Sequence, residues 1–349
     1  MSDTSEEMPD NATDRPLVTF ALFAYNQEKY IREAVEGAFA QTYSPLEIIL
    51  SDDCSSDKTF EIMQAMAVAY KGPHRVHARR NEFNIGTALH VYSVARSSKG
   101  LLFVVAAGDD FSFPERTDRL FRVWDQAGRP SGVVHSGREV FRSSDGKVLG
   151  RFPAKRTGHA VNTLYGYAHS QWQLAAAPTA AYTLDVFARF PALYGGSIIE
   201  DAPLFFRASL LGIFQSCDDI LIRSRVHETN SGTGHNFISP ARWNRFMQSK
   251  VVAFRNMQDD LSNWDGDIDP TLRENIEKQF LRVSQSASKL FLPQTFQLNW
   301  LEKIAFLFRM LLSPAVTPKF RLRCEYVMSF LGFKFHVKIK TKIKEMMRK

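Results

Sequence analysis

Leu101-Leu-Phe-Val-Val-Ala-Ala-Gly-Asp-Asp110 is a short apolar run that stops on two adjacent carboxylates, with Pro114 just beyond. A run of this length, rich in branched and aromatic residues, predicts a strand buried on both faces, with Gly108 opening the turn that follows. Asp109 and Asp110 then lie at the strand's C-terminal end, the edge of an open α/β sheet where ligands bind. Two like charges side by side repel unless a cation neutralises them, which makes a hard divalent ion, Mg²⁺ or Mn²⁺, their natural partner. Taken alone, the pair is explained equally well by an aspartate-rich turn leading into the next helix.

The surrounding chain removes part of that ambiguity. Leu17 to Ala24 reads as a first buried strand ending at Tyr25-Asn26. A helix follows from about Glu28 to Gln41, its apolar stripe formed by Tyr30, Ile31, Ala34, Val35 and Ala38. Leu46 to Leu50 is a second strand, stopping on Ser51-Asp52-Asp53, and Ser55-Ser56-Asp57 starts a helix to about Tyr70. Val76 to Arg80 is a weaker third strand, and Asn84-Ile-Gly86 breaks the chain before a helix to about Ser97. Strands alternating with amphipathic helices imply right-handed crossovers and a mainly parallel sheet, an α/β fold. Tyr25-Asn26, Asp52-Asp53 and Asp109-Asp110 then converge on one rim. A turn preference accounts for any one of these pairs but does not predict all three in one place. There is no GxGxxG after the first strand and no GxxxxGK[ST] anywhere, so dinucleotide-dehydrogenase and P-loop readings lose their main support.

In this order and spacing, four pieces resemble the front half of a family 2 glycosyltransferase with the GT-A fold. They are Phe23-Ala-Tyr-Asn-Gln-Glu28, Gln41 to Thr59 with its Ser-Asp-Asp-Cys-Ser-Ser-Asp core, Asn84-Ile-Gly86, and Gly108-Asp-Asp110 leading to Pro114-Glu-Arg116. The resemblance implies a nucleoside-diphosphate sugar, a UDP-sugar first among them, lying across the rim. By position, Tyr25 and Asp52 match the residues that hold the nucleobase, and Asn26, Glu28 and Asn84 lie in the same donor-binding pieces. Asp109 matches a residue near the ribose or sugar, and Asp110 one on a Mg²⁺ or Mn²⁺ that bridges the phosphates. The stretch usually following the N-x-G turn is replaced here by Leu89-His90-Val91-Tyr92.

Beyond Pro114 a helix is expected to about Gln126, then a short strand from Gly132 to His135 and a hairpin turning at Ser144-Asp-Gly146. Trp172 and Gln173 are candidates for an acceptor pocket or for the core. Glu200 and Asp201 enter a helix carrying Leu204, Phe205, Ala208 and Leu211; acidic residues are favoured at a helix N-terminus whatever their function. The resemblance makes Asp201 the general base, with Glu200 orienting it or binding the acceptor. Ile220 to His227 reads as a strand; Arg225-Val-His227 resembles the family's closing motif, which places His227 at the diphosphate or metal, and the glycine-rich Asn230 to Gly234 could form a lid. The implied reaction is inverting transfer of a hexosyl or N-acetylhexosaminyl group. Two alternatives are a nucleotidyltransferase on a related sheet, whose basic glycine-rich first loop is absent, and a non-catalytic membrane-associated protein that binds nucleotide sugars.

Cys54, Cys217 and Cys324 lie far apart with no CxxC spacing, which disfavours a disulfide framework or a zinc site and fits a reducing compartment. Residues 1–15 are acidic and polar, expected as a disordered lead-in rather than a signal peptide. No stretch reaches the ~18 uninterrupted apolar residues of a membrane span. The formal charge of +7 is uneven: from Lys319 to Lys349 ten Lys or Arg face two Glu, so the rest of the chain is close to neutral. Residues 16–235 are expected to form the GT-A domain, 236–295 a helical C-terminal extension, and 296–349 a basic amphipathic segment. Apolar residues interleaved with that basic charge favour an anionic membrane surface over nucleic acid, a solvated basic face being the plainer explanation. The expected location is cytoplasmic, peripheral on the inner face of the cell membrane. The expected acceptor is a glycan or lipid-linked glycan such as a lipopolysaccharide precursor.

Overall fold

The computed structural model describes residues 15–154, 164–169, 177–195, 199–212, 214–227 and 240–288. Residues 1–14, Trp172, Gln173, the Asn230 to Gly234 loop and the 296–349 segment lie outside the described residues.

The first half of the chain alternates as its pattern predicts. Its elements are β1 (Val18–Ala24), α1 (Ile31–Phe39), β2 (Leu46–Asp52), α2 (Thr59–Ala69), β3 (Arg75–Arg80), α3 (Thr87–Ser97) and β4 (Leu102–Ala107). Next come the two-residue β5 (Phe111–Ser112), α4 (Arg116–Gln126), β6 (Val133–Arg142), β7 (Val148–Phe152), α5 (Leu164–Ala168) and β8 (Ala180–Thr183). The described chain ends with α6 (Asp185–Ala188), α7 (Asp201–Leu210), β9 (Phe214–Val226), α8 (Pro240–Ser262) and α9 (Pro270–Ser288).

All the strands join one sheet in the order β3-β2-β1-β4-β8-β6-β9-β5, with β7 added on β6. The β3-β2-β1-β4 half is wholly parallel. β8 then runs antiparallel to both β4 and β6, and β9 returns parallel to β6. Helices cover both faces of β1, β2 and β4, which have no solvent side to show, whereas the edge strand β3 is partly exposed. Phe20 and Leu22 pack with Val35, Ala38 and Phe121 on one face, whereas Ala21 and Phe23 pack with Val91, Val94 and Phe205 on the other.

A third core joins Ala202, Phe206 and Leu210 of α7 to Phe246, Met247 and Phe254 of α8 and Ile276 and Phe280 of α9. The helical extension is therefore built onto the same core as the helix that Asp201 opens. Gly108 is required where β4 ends: a Cβ there would come within 2.5 Å of Gln27 Oε1 and 2.9 Å of Ile31 Cδ1.

Candidate active site

Register decides what the rim contains. β1 pairs Ala24 with Asp52 of β2 and Phe23 with Ala107 of β4, so three neighbouring parallel strands end together. Tyr25 stands at this rim with 48% of its surface exposed. Asn26 has a positive φ of 52° and ties the first two turns together: its backbone N–H donates to Ser55 Oγ (2.8 Å), and its side-chain oxygen accepts from the Ser56 N–H (2.8 Å). Glu28 does the same, accepting from the Lys58 N–H at 3.0 Å. Both residues hold the shape of the rim through these bonds.

Asp52 has no exposed surface. Its Oδ2 accepts the Ser55 N–H at 2.8 Å, its Oδ1 accepts the Ser55 hydroxyl, and Arg80 Nε lies 3.4 Å away. Burial pushes its pKa up, opposed by the Ser55 hydrogen bonds and by Arg80. Both Asp52 oxygens thus accept from Ser55, which ties the carboxylate to the turn after β2. Asp53, given no role by the sequence reading, accepts from Asn81 Nδ2 (2.8 Å), Ile85 N–H (3.0 Å) and Gly86 N–H (2.9 Å). It thereby fixes the N-x-G turn whose Asn84 is exposed.

The two rim aspartates point to different partners. Asp109 Oδ2 lies 2.9 Å from Nε2 of His227, with side-chain exposures of 12% and 5%. The Tyr30 ring packs 4.5 Å from the imidazole, and Arg225 Nε donates to the Asp109 carbonyl at 3.0 Å. Asp110 is turned toward β9, where its oxygens accept the Arg225 N–H (2.8 Å) and the Ser224 hydroxyl (3.1 Å). Burial first, then the neighbouring Asp109 charge, pushes the Asp110 pKa up to about 7. The sequence reading placed Asp110 on the metal and His227 at the diphosphate or metal; here the imidazole is hydrogen-bonded to Asp109.

Asp201 opens α7, its Oδ1 accepting the Ala202 N–H at 2.9 Å. Burial raises its pKa to about 6, against the Ala202 N–H, Lys250 and Arg138, which favour the carboxylate. Glu200 is pushed further, to about 8, by burial and by Asp201. Arg138 on β6 lies within electrostatic reach of both Asp110 and Asp201. Among the described residues no group of three or more His, Cys, Asp or Glu forms a ready metal cage. The Asp109–His227 pair supplies one carboxylate and one imidazole, a donor set suited to Mn²⁺ or Mg²⁺ only if a ligand adds further oxygens.

Residues 19–177 match the family model described as Glycosyl transferase family 2. Over those residues the chain is similar to family 2 glycosyltransferases. An uncharacterized glycosyltransferase of Rickettsia typhi, RT0329, is 26% identical over 243 residues, covering 68% of this chain and 73% of that protein. Several other curated relatives are matched over less than half of their own length. The fold is shared with S. aureus TarS in complex with UDP-GlcNAc (TM-score 0.55, 18% identity, 90% of this chain and 88% of that one). It is shared too with the mannosyltransferase PcManGT of Pyrobaculum calidifontis in complex with GDP-Man and Mn²⁺ (TM-score 0.53, 17% identity, 93% and 88%). The chain thus has the expected GT-A fold, with antiparallel β8 inserted between its two parallel pieces.

Proposed function

We propose that the chain is an inverting glycosyltransferase that moves a sugar from a nucleoside diphosphate to an acceptor hydroxyl. The observation that carries this reading is the meeting of Asp109 and His227 at the rim, beside a second buried carboxyl, Asp201, at the start of α7. The UDP-GlcNAc bound by TarS and the GDP-Man bound by PcManGT support a nucleotide-sugar donor. The base would stack on exposed Tyr25, with Asp52 acting through Ser55 and Arg80 to shape its pocket. Asn26, Glu28 and Asn84 would frame that pocket.

Asp109 and His227 would hold Mg²⁺ or Mn²⁺ together with diphosphate oxygens, and the cation when bound would offset the negative charge of the leaving group. Asp110, held by Ser224 and Arg225, would fix the end of β9 so that His227 faces Asp109. Asp201 takes the proton of the acceptor hydroxyl as its oxygen attacks the anomeric carbon. The bond from that carbon to the diphosphate oxygen breaks, and its electron pair leaves with the nucleoside diphosphate. One displacement inverts the anomeric centre.

No described helix is long and apolar enough to cross a membrane. The proposed location, at the inner face of the cell membrane with a glycan or lipid-linked glycan as acceptor, rests on the basic, apolar-interleaved sequence of residues 296–349. The test is incorporation of labelled sugar from UDP-GlcNAc or GDP-Man into the membrane glycans of cells expressing the chain. Incorporation abolished by Asp201→Asn, with nucleotide binding retained, is expected. Undiminished incorporation in that variant would overturn the base assignment.

A further inference from the structure

Two cations that feel the Asp201 charge make no ion pair within 4 Å among the described residues. On β6, β7 and β9 every other arginine has a carboxylate: Arg142 with Asp145, Arg151 and Arg223 with Glu139, Arg225 with Glu33. Arg138 is the exception. Its guanidinium makes no hydrogen bond and comes within 4 Å of no carboxylate among the described residues, touching only the face of Phe152 at 5.8 Å. Its direction is set by register: Arg138 pairs with Ile222 and Val140 with Ser224, and paired residues two apart on a sheet share a face. Arg138 therefore stands on the face of Ser224, whose hydroxyl binds Asp110.

Lys250 comes from the opposite wall. Phe246, Met247, Ala253 and Phe254 form the stripe of α8 that packs on Ala202 and Phe206 of α7. Lys250 lies three residues after Met247 and four before Phe254, within that stripe rather than on the solvent side. Arg207 and Asp260 lock the two helices together, with Nε–Oδ2 at 2.7 Å and Nη2–Oδ1 at 2.9 Å, both 1% exposed. The Lys250 ammonium lies 5.2 Å from the Phe246 ring and meets no carboxylate within 4 Å among the described residues.

Asp201 is the one carboxylate whose field acts on Lys250, whereas Arg138 feels Asp201 and Asp110 together. Lys250 is presented by α8 against α7, the helix that Asp201 opens, and Arg138 stands on the face of Ser224, which binds Asp110. A partly buried charge without a partner is costly, and docking a neutral sugar against it would strip its remaining water with no return. An anionic group would instead be held by charge-assisted hydrogen bonds.

We propose that Arg138 and Lys250 form an anion clamp beside Asp201, and that the acceptor carries a phosphate or carboxylate close to the hydroxyl it presents. The clamp deepens the functional reading above, resting on its assignment of Asp201 to the acceptor side. It makes the helical extension part of the site, since Lys250 is supplied by α8.

The full chain is titrated, with and without saturating UDP and Mn²⁺, against glycerol 3-phosphate and glycerol and against glucuronate and methyl glucoside. At least one anion binds about tenfold or more tightly than its neutral counterpart, and which one does so separates a phosphate-bearing acceptor from a uronate-bearing one. Arg138→Gln and Lys250→Gln each weaken that binding about tenfold, Arg138→Lys and Lys250→Arg retain most of it, and Lys250→Gln leaves UDP affinity within about twofold. Equal binding of charged and neutral probes, or anion binding indifferent to both Gln variants, overturns the clamp. Should a Gln variant fail to fold, the charge-keeping pair and the wild-type preference decide the matter. Failure of wild type to bind UDP instead overturns the donor reading, and the titrations without UDP still test the clamp.

Discussion

His227 Nε2 sits 2.9 Å from Asp109 Oδ2, joining the ends of β9 and β4 across 118 residues of sequence. Asp110, the next residue, faces the backbone of Arg225 instead. Adjacent carboxylates thus take different tasks because successive side chains leave the turn in different directions.

The substitutions Asp109→Asn and His227→Gln separate those tasks from that of Asp110. Each is expected to remove the Mn²⁺-dependent part of nucleotide affinity, by about tenfold or more, with little loss of stability. Asp110→Ala, which leaves the Arg225 N–H and the Ser224 hydroxyl without their acceptor, is expected to cost about 1–3 kcal/mol in urea unfolding as well. Equal effects of all three on metal-dependent binding, with no stability difference, would refute the division.

Transfer is expected to depend on pH through Asp201. With its pKa raised to about 6, the base is protonated below that value and ionised above it, so the rate should rise through pH 6. The groups acting on it or feeling it are Glu200 on its own helix, Lys250 on α8, Arg138 on β6, Tyr167 on α5 and Tyr182 on β8. Because Lys250 favours the ionised form, Lys250→Gln should move the acidic limb to higher pH. A limb near pH 4, or one unmoved by the substitution, contradicts the assignment.

Asp53, 3% exposed, accepts three N–H groups, from Asn81 and from the partly exposed Ile85 and Gly86. Its replacement by Ala is expected to cost about 3 kcal/mol and to loosen the turn at Asn84. Urea denaturation measures the first effect, and exchange of the Ile85 and Gly86 amides the second. Unchanged protection of those amides would show that the turn holds without it.

The link between α7 and α8 is open to a similar test. Arg207→Ala leaves Asp260 charged and buried, and should destabilise the chain by about 3–5 kcal/mol. One cooperative unfolding transition is expected, because α7, α8 and α9 share a core. Separate transitions for the residues before and after 239 would argue for an independent extension.

The rim was legible in the sequence because parallel strands buried on both faces leave unbroken apolar runs that end on polar residues, as at Ala24, Asp52 and Ala107. β8 was missed. Ala180-Ala-Tyr-Thr183 is four residues long with no alternation to read, yet it sits mid-sheet, and its direction is set by β4 and β6. The sequence reading stopped β6 near His135, but pairing with β9 carries it to Arg142. A sequence shows that Asp52, Asp109 and Asp110 are acidic, not that Ser55 closes over the first or that β9 turns the last away from His227. Arg138 and Lys250 were overlooked because isolated basic residues on a strand and a helix look solvent-facing. Their placement depends on the parallel register of β6 with β9 and on which stripe of α8 meets α7.

Isothermal titration of UDP, GDP and CDP, each with and without Mn²⁺, against wild type and Asp109→Ala tests the central claim most directly. The expected result is Mn²⁺-enhanced binding of one nucleotide, with the enhancement lost in Asp109→Ala while the weak metal-free binding survives. Absence of binding by all three to the folded chain, or an enhancement untouched by Asp109→Ala, would contradict the account.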